Sequence, residues 1–276
     1  MPYGLILSSY VAASRIGGSA QQYVLAADGI EPVLVPTVLL GRSPARPPPG
    51  GGPTPIELFE GMLQGVIADG VLARADLILT GHFSLPEQVE AAARAIEQAK
   101  AERPGVIVVV DPILGDEPKG LYVKEAVAVA VAERLVPLAD WITPNAWELD
   151  FLSGRPAGDA AAAVEAAARL GKPALVTSIP AGEGRIGMVL TAPEGSSLIS
   201  HARAPVAPNG TGDVVTASFG AGLARGRTPL ASAERAARAV AEAVACCGPD
   251  ARDLPLIGLG ARIAEPKAEI AVETLA

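Results

Sequence analysis

Asn209-Gly-Thr-Gly-Asp213 is the segment of this chain whose residue types and spacing best suit chemistry. It runs directly into Val214-Val-Thr-Ala-Ser-Phe-Gly-Ala-Gly222, an apolar, small-residue stretch that reads as a helix. Backbone N–H groups at a helix start point outward, and the helix dipole adds partial positive charge there. Gly210 and Gly212 let that backbone approach an anion closely. Asp213 then places a carboxylate inside a site built for negative charge, where it suits the role of a base beside a phosphate. The competing reading uses the same atoms, because Thr and Asp favour helix starts as ordinary caps. The rest of the chain has to separate the two.

Ligands of an open parallel sheet bind beyond the carboxyl ends of its strands, so the strand ends come next. Val106–Val110 ends in Asp111-Pro-Ile-Leu-Gly-Asp116, Trp141–Thr143 in Pro144-Asn145-Ala-Trp-Glu148, and Ala174–Val176 in Thr177-Ser178. Oxygen ligands of this kind suit Mg²⁺, which keeps several waters and binds few carboxylates together with substrate phosphates. Such a cation would let a chain of formal net charge −8 bind a polyphosphate. Taken singly, Asp111-Pro is also a turn and Asn145 also a helix cap. His82 follows Leu77–Thr80 at a further strand end and reads either as a site residue or as a surface histidine. With His201 it is too distant in sequence to propose a metal pair. Gly182-Glu-Gly-Arg-Ile-Gly187 fits G-x-G-x-x-G but leads into a strand, not a helix, so it reads as a hairpin loop. No G-x-x-x-x-G-K-[ST] motif is present.

The elements that must position these residues alternate from end to end. Strands are expected at Gly4–Ser9, Val33–Leu39, Leu77–Thr80, Val106–Asp111, Trp141–Thr143 and Ala174–Ser178. Between them, Ser19–Ala27, Ile56–Ala68, Pro86–Glu102, Glu125–Leu135 and Asp159–Leu170 read as helices, which implies a parallel sheet covered on both faces. Ile186–Thr191 and Ser196–Ser200 read as a late antiparallel hairpin, followed by the helix after Gly212 and another over Leu230–Ala245. No Gly/Ser linker divides residues 1–276, so one domain is expected. The segment Arg42–Pro55, rich in Pro and Gly, excludes a helix or an inner strand and is either a disordered loop or a mobile cover. The tail from Pro266 carries no strong signal. With 50% hydrophobic and only 19% charged residues, the chain can bury a sizeable core. Its negative charge argues against nucleic acid or an anionic membrane as partner. Cys246 and Cys247 are adjacent and read as buried thiols on a helix, in a reducing compartment. Met-Pro-Tyr-Gly lacks a basic n-region and Leu5-Ile-Leu7 is too short for a membrane segment, so a cytoplasmic protein is expected.

These motifs together resemble the pyridoxal kinase family of the ribokinase-like superfamily. The resemblance rests on Asp111-Pro-Ile-Leu-Gly-Asp116, Gly120-Leu-Tyr-Val123, Val136 through Glu148, Leu152-Ser-Gly154 and Gly210-Thr-Gly-Asp213, in order over nearly the whole chain. It implies a three-layer α/β fold with a mostly parallel central sheet and an ATP-dependent phosphorylation of the 5′-hydroxymethyl group of pyridoxal, pyridoxine or pyridoxamine. ATP would lie along the sheet edge with its γ-phosphate over the amides of Gly210, Thr211 and Gly212, and Asp213 would take the substrate's proton. Mg²⁺ would sit by Asp111, Asn145 and Glu148, with Asp111 and Glu148 as its carboxylates, and a monovalent cation such as K⁺ is left open. Asp116, Thr177 and Ser178 match positions near the phosphates or nucleotide, Ser9 and Thr37 match positions at the pyridine ring, and His82 stands where the family has a tyrosine after Gly. A homodimer and a flap at 42–55 are further implications. The N-terminal third departs from the family at Ser9-Tyr-Val-Ala-Ala-Ser-Arg-Ile-Gly17, Gly81-His82 and Gly41-Arg-Ser43, so the reaction class is better marked than the substrate. Two alternatives stand: a kinase of hydroxymethylpyrimidine or another small heterocyclic alcohol, which commonly carries Gly-Cys where this chain has Gly212-Asp213, and a non-catalytic B6-binding protein on the same fold.

Overall fold

The computed structural model describes residues 1–205 and 208–275. In chain order the first half comprises β1 (Tyr3–Val11), α1 (Gly18–Ala27), β2 (Glu31–Leu40), β3 (Gly51–Pro53), α2 (Ile56–Ala68), α3 (Val71–Arg74), β4 (Ala75–Thr80), α4 (Pro86–Glu102) and β5 (Ile107–Val110). A small hairpin, β6 (Gly115–Asp116) and β7 (Gly120–Leu121), follows. Then come α5 (Glu125–Ala130), β8 (Trp141–Ile142), α6 (Ala146–Ser153), α7 (Ala160–Leu170) and β9 (Ala174–Pro180). The chain closes with β10 (Arg185–Ala192), β11 (Gly195–Ala202), α8 (Thr211–Ala224), α9 (Pro229–Ala245), α10 (Gly260–Ala264) and β12 (Ala271–Leu275).

One ten-stranded sheet runs in the order β12-β11-β10-β9-β8-β5-β4-β1-β2-β3. Its interior from β9 to β2 is parallel, and β10, β11, β12 and β3 are antiparallel additions at the two edges. Period-two alternation divides the core between the faces. Leu5, Leu7, Ile78, Val108 and Val110 pack under α2 and α4 through α7. Ile6, Leu77, Leu79 and Val109 pack under α1, α8, α9 and α10. These are the three layers expected from the sequence.

Several details differ from expectation. The tail is not featureless, since Ala271–Leu275 pairs antiparallel with β11 as a mostly exposed edge strand. Cys246 is exposed just past the end of α9 and Cys247 is half-buried, so the pair is not a buried one. Gly51–Pro53 pairs with Val38–Leu40 as an edge strand, which suits a backbone with few donors. The preceding loop is tied down: the Arg46 guanidinium donates to Ser14 Oγ at 3.0 Å and to the Asp253 carboxylate at 3.2 Å. Among the described residues no helix is long and apolar enough to cross a membrane.

The helix α8 is buried along most of its length because its residues are small or apolar. A Cβ on Gly220 would lie 2.9 Å from Leu79 Cδ2 and 3.2 Å from Leu77 Cδ1, so the glycine sets how closely α8 sits on the sheet. Phe219 meets Trp141 edge-on, with centroids 5.2 Å apart. Gly220→Val should therefore lower stability by about 1–3 kcal/mol through overpacking. A reduced urea midpoint with an unchanged m-value would report it, and an unchanged midpoint would mean that α8 has slack here.

Candidate active site

The turn before α8 bears on the choice between cap and anion site. Gly210 adopts φ 97°, and a Cβ there would lie 2.8 Å from the Arg15 carbonyl oxygen, so only glycine fits. No side chain caps the helix. The first amides of α8 are therefore left for something else. Asp213 instead reaches across the molecule: its Oδ2 accepts the Gly17 N–H at 2.7 Å, a contact spanning 196 residues. Oδ1 has no partner among the described residues. Burial pushes the Asp213 carboxyl up to about 6, against the opposing pull of the Gly17 N–H. Gly17 is also held to glycine, at φ +59° with a Cβ position 2.1 Å from Ser9 Oγ.

Two further carboxylates are buried beside it. Asp111 follows β5, and its Oδ2 accepts from Thr216 Oγ1 of α8 at 2.8 Å. Thr216 in turn meets Thr143 Oγ1 at 2.8 Å, so one hydroxyl chain joins the ends of β5 and β8 to α8. Glu148 takes the Leu114 N–H at 2.7 Å on Oε1 and the Asn145 N–H at 2.9 Å on Oε2. Asn145 Oδ1 accepts the Glu148 N–H at 2.9 Å, which makes the pair the capping box of α6. Its amide donates to Gly115 O at 2.9 Å and so holds the β6–β7 hairpin. Burial raises the Glu148 carboxyl to about 7. Burial, then Glu148, then Asp213 hold the Asp111 carboxyl well above the usual range. The charges acting on Asp111 are thus carboxylates alone, and a cation would relieve them. Three acids directly caging an ion do not occur among the described residues. Two carboxylates with room for water and phosphate oxygens are the donor set that Mg²⁺ takes beside a nucleotide.

A cavity of about 450 Å³ gathers Asp111, Asp116, Asn145, Glu148, Thr177 and Ser178 with Gly210, Thr211, Gly212 and Asp213. Ser178 holds φ 65° at this edge, a strained left-handed position for a non-glycine residue. Ser9, Thr37 and His82 do not line it. Ser9 packs behind Gly17, whereas the Thr37 hydroxyl donates to His82 O and the imidazole Nε2 meets Ser84 Oγ at 3.0 Å. Burial pushes the His82 ring down to about 4. Gln88 completes that cluster, its amide donating to Thr37 O at 2.8 Å and Thr54 O at 2.7 Å.

The cavity also contains residues to which the sequence reading gave no site role: Tyr122, His201 and Arg203, with the apolar Ile186, Met188, Val215, Val240 and Val244. Strand period was the available signal for part of it, since Ile186 and Met188 share a face and Ile186 pairs with His201 across the hairpin. Gly17 had no comparable signal, because its contribution is a backbone donor.

Residues 52–253 match the phosphomethylpyrimidine kinase family model. A pyridoxine/pyridoxal/pyridoxamine kinase of Bordetella avium is 36% identical over 87% of this chain and 83% of its own length. A pyridoxal kinase of Corynebacterium diphtheriae is 28% identical over 99% of each chain. The crystal structure of pyridoxal kinase from Entamoeba histolytica superposes with a TM-score of 0.92 over 100% of both chains at 23% identity, which establishes likeness of fold. The chain belongs to the pyridoxal kinase family of the ribokinase-like superfamily, within the wider group that the phosphomethylpyrimidine kinase model describes.

Proposed function

We propose that the protein is an ATP-dependent kinase that phosphorylates the 5′-hydroxymethyl group of a B6 vitamer, acting as one domain over residues 1–276. The observation that carries this reading is the Asp213 carboxylate beside uncapped helix amides, with one oxygen held by Gly17 and the other free. An anion site holding a buried, partly neutralised acid suits phosphate next to a hydroxyl that must lose its proton. The relatives named as kinases of pyridoxine, pyridoxal and pyridoxamine support the substrate class.

In this reading the γ-phosphate of ATP rests on the amides of Gly210, Thr211 and Gly212, and the rest of the nucleotide runs past Asp116, Thr177 and Ser178. Asp213 Oδ1 accepts the proton of the vitamer's hydroxymethyl group. The freed oxygen attacks the γ-phosphorus in line, the bond to the β-phosphate oxygen breaks, and ADP leaves. Gly17 keeps the carboxylate facing the substrate oxygen and favours its charged form. When bound near Asp111 and Glu148, largely through water, Mg²⁺ supplies charge neutralisation for the phosphates. Catalysis is positioning and electrostatics, with no covalent intermediate. Ser9, adjoining Gly17, is assigned to the pyridine ring. Thr37 and His82 belong to the layer behind it, and the 42–50 loop strapped by Arg46 serves as the flap. A cytoplasmic homodimer belongs to the same reading and is supported by family resemblance alone. The pyrimidine alternative is favoured by one observation, the match to the phosphomethylpyrimidine kinase model, and is opposed by Asp213 in place of the cysteine common in that group.

ADP release with Mg-ATP should be seen with pyridoxal, pyridoxine or pyridoxamine and be weaker with hydroxymethylpyrimidine; turnover on none of the vitamers would sink the proposal. Asp213→Asn should cut kcat by about 10²–10⁴-fold, the range of a lost general base. It should leave displacement of a fluorescent ATP analogue nearly unchanged, whereas equal losses in both would mark a structural residue. Because the base works deprotonated and its carboxyl stands near 6, kcat/KM should fall as pH drops through about 6 and level off above it. A profile flat from pH 5 to pH 8 would remove Asp213 from the role.

A further inference from the structure

The lining of the cavity is of two chemical kinds. One comprises the Gly210–Asp213 turn and the buried carboxylates. The other is the apolar surface of Ile186, Met188, Val215, Val240 and Val244, of the kind that the faces of a planar heterocycle require. Among the polar side chains that share the cavity, His201 is the one paired across the hairpin with this apolar surface. His201 lies on β11 directly opposite Ile186 of β10, and it is 8% exposed. Its Nδ1 sits 2.9 Å from the Ala202 carbonyl oxygen. A carbonyl only accepts, so Nδ1 carries the hydrogen and Nε2 carries a lone pair. Nε2 has no protein partner among the described residues and is not among the sealed polar atoms. Burial, together with Arg185 nearby, pushes the imidazole pKa down, which keeps the ring neutral at pH 7.

We infer that His201 reads the base of the phosphate donor, its Nε2 accepting a hydrogen bond from the exocyclic 6-amino group of adenine and so selecting ATP over guanine and hypoxanthine nucleotides. This rests on the kinase reading above. A 6-oxo purine brings an acceptor to the same place and faces the lone pair. Greeting it with an N–H requires either a second proton on a ring that burial keeps neutral or the other tautomer, which strips Ala202 O of its donor. Leaving a buried polar group unpaired in this way corresponds to about a ten- to hundredfold loss in affinity.

Competitive displacement of a ribose-labelled fluorescent ATP analogue tests this without turnover. The wild-type protein should bind ATP about ten- to hundredfold more tightly than ITP, with GTP as weak as ITP. His201→Phe keeps a ring and removes the lone pair, and it should bring ATP down to the level of ITP without moving the KM for the vitamer. His201→Gln, whose amide can present an oxygen, should recover part of the preference. Equal wild-type affinity for ATP and ITP overturns the inference, as does a His201→Phe protein that keeps the wild-type ratio. If His201→Phe fails to fold, the wild-type comparison of the three nucleotides decides alone. ATP preference that His201→Phe abolishes, in a protein that phosphorylates no vitamer, upholds His201 and sinks the vitamer-kinase reading; vitamer turnover with indifferent nucleotide use does the reverse. Displacement by none of the three overturns both.

Discussion

Three carboxylates, Asp111, Glu148 and Asp213, are buried at one edge of the sheet, and each is held above its ordinary pKa chiefly by burial. Isolated buried charge is among the most costly things a fold can carry, so the surroundings must supply polar partners. Glu148 receives backbone N–H groups from the β6–β7 region and from its own helix start, Asp111 receives a hydroxyl from α8 and the Ile113 N–H, and Asp213 receives one distant amide. The supply is smallest where the chemistry is assigned. Since the folded state binds protons more tightly than the unfolded chain at Asp213 and Glu148, their contribution to stability declines as pH rises through about 6 and 7. These ionised carboxylates therefore weigh most on the fold above those pH values, and a bound cation would offset that cost.

How much of this was legible in the sequence depended on whether a contact is local. The strand ends after β5, β8 and β9 could be read because each motif is contiguous and the parallel-sheet rule brings them to one edge. Asn145-x-x-Glu148 shows both the strength and the weakness of such reading. The spacing is that of a capping box, and the structure uses both side chains in that way, while both also face the cavity. Local structure and site are built from the same atoms there, so α6 went unassigned while its first turn was read as ligands.

What stayed hidden was either remote or weakly patterned. The Gly17 donor belongs to a turn that departs from the family's sequence, and nothing in a glycine announces a partner 196 residues away. Thr37 and His82, read as neighbours of the substrate, are hydrogen-bonded to one another, and Gln88 to Thr37. β12 is a mostly exposed edge strand, without the alternation that would separate it from a tail.

α8 carries a last implication. From Asp213 to Gly220 the helix rises about 10 Å, and at its far end Gly220 rests on Leu77 and Leu79 while Gly222 faces Ser232 of α9. The helix behaves as a rod whose working tip is placed by contacts at its buried shaft. A change of one methylene under the shaft would then displace Asp213 itself. Residues that would pass for anonymous core are, in mechanical terms, the alignment screws of the active site.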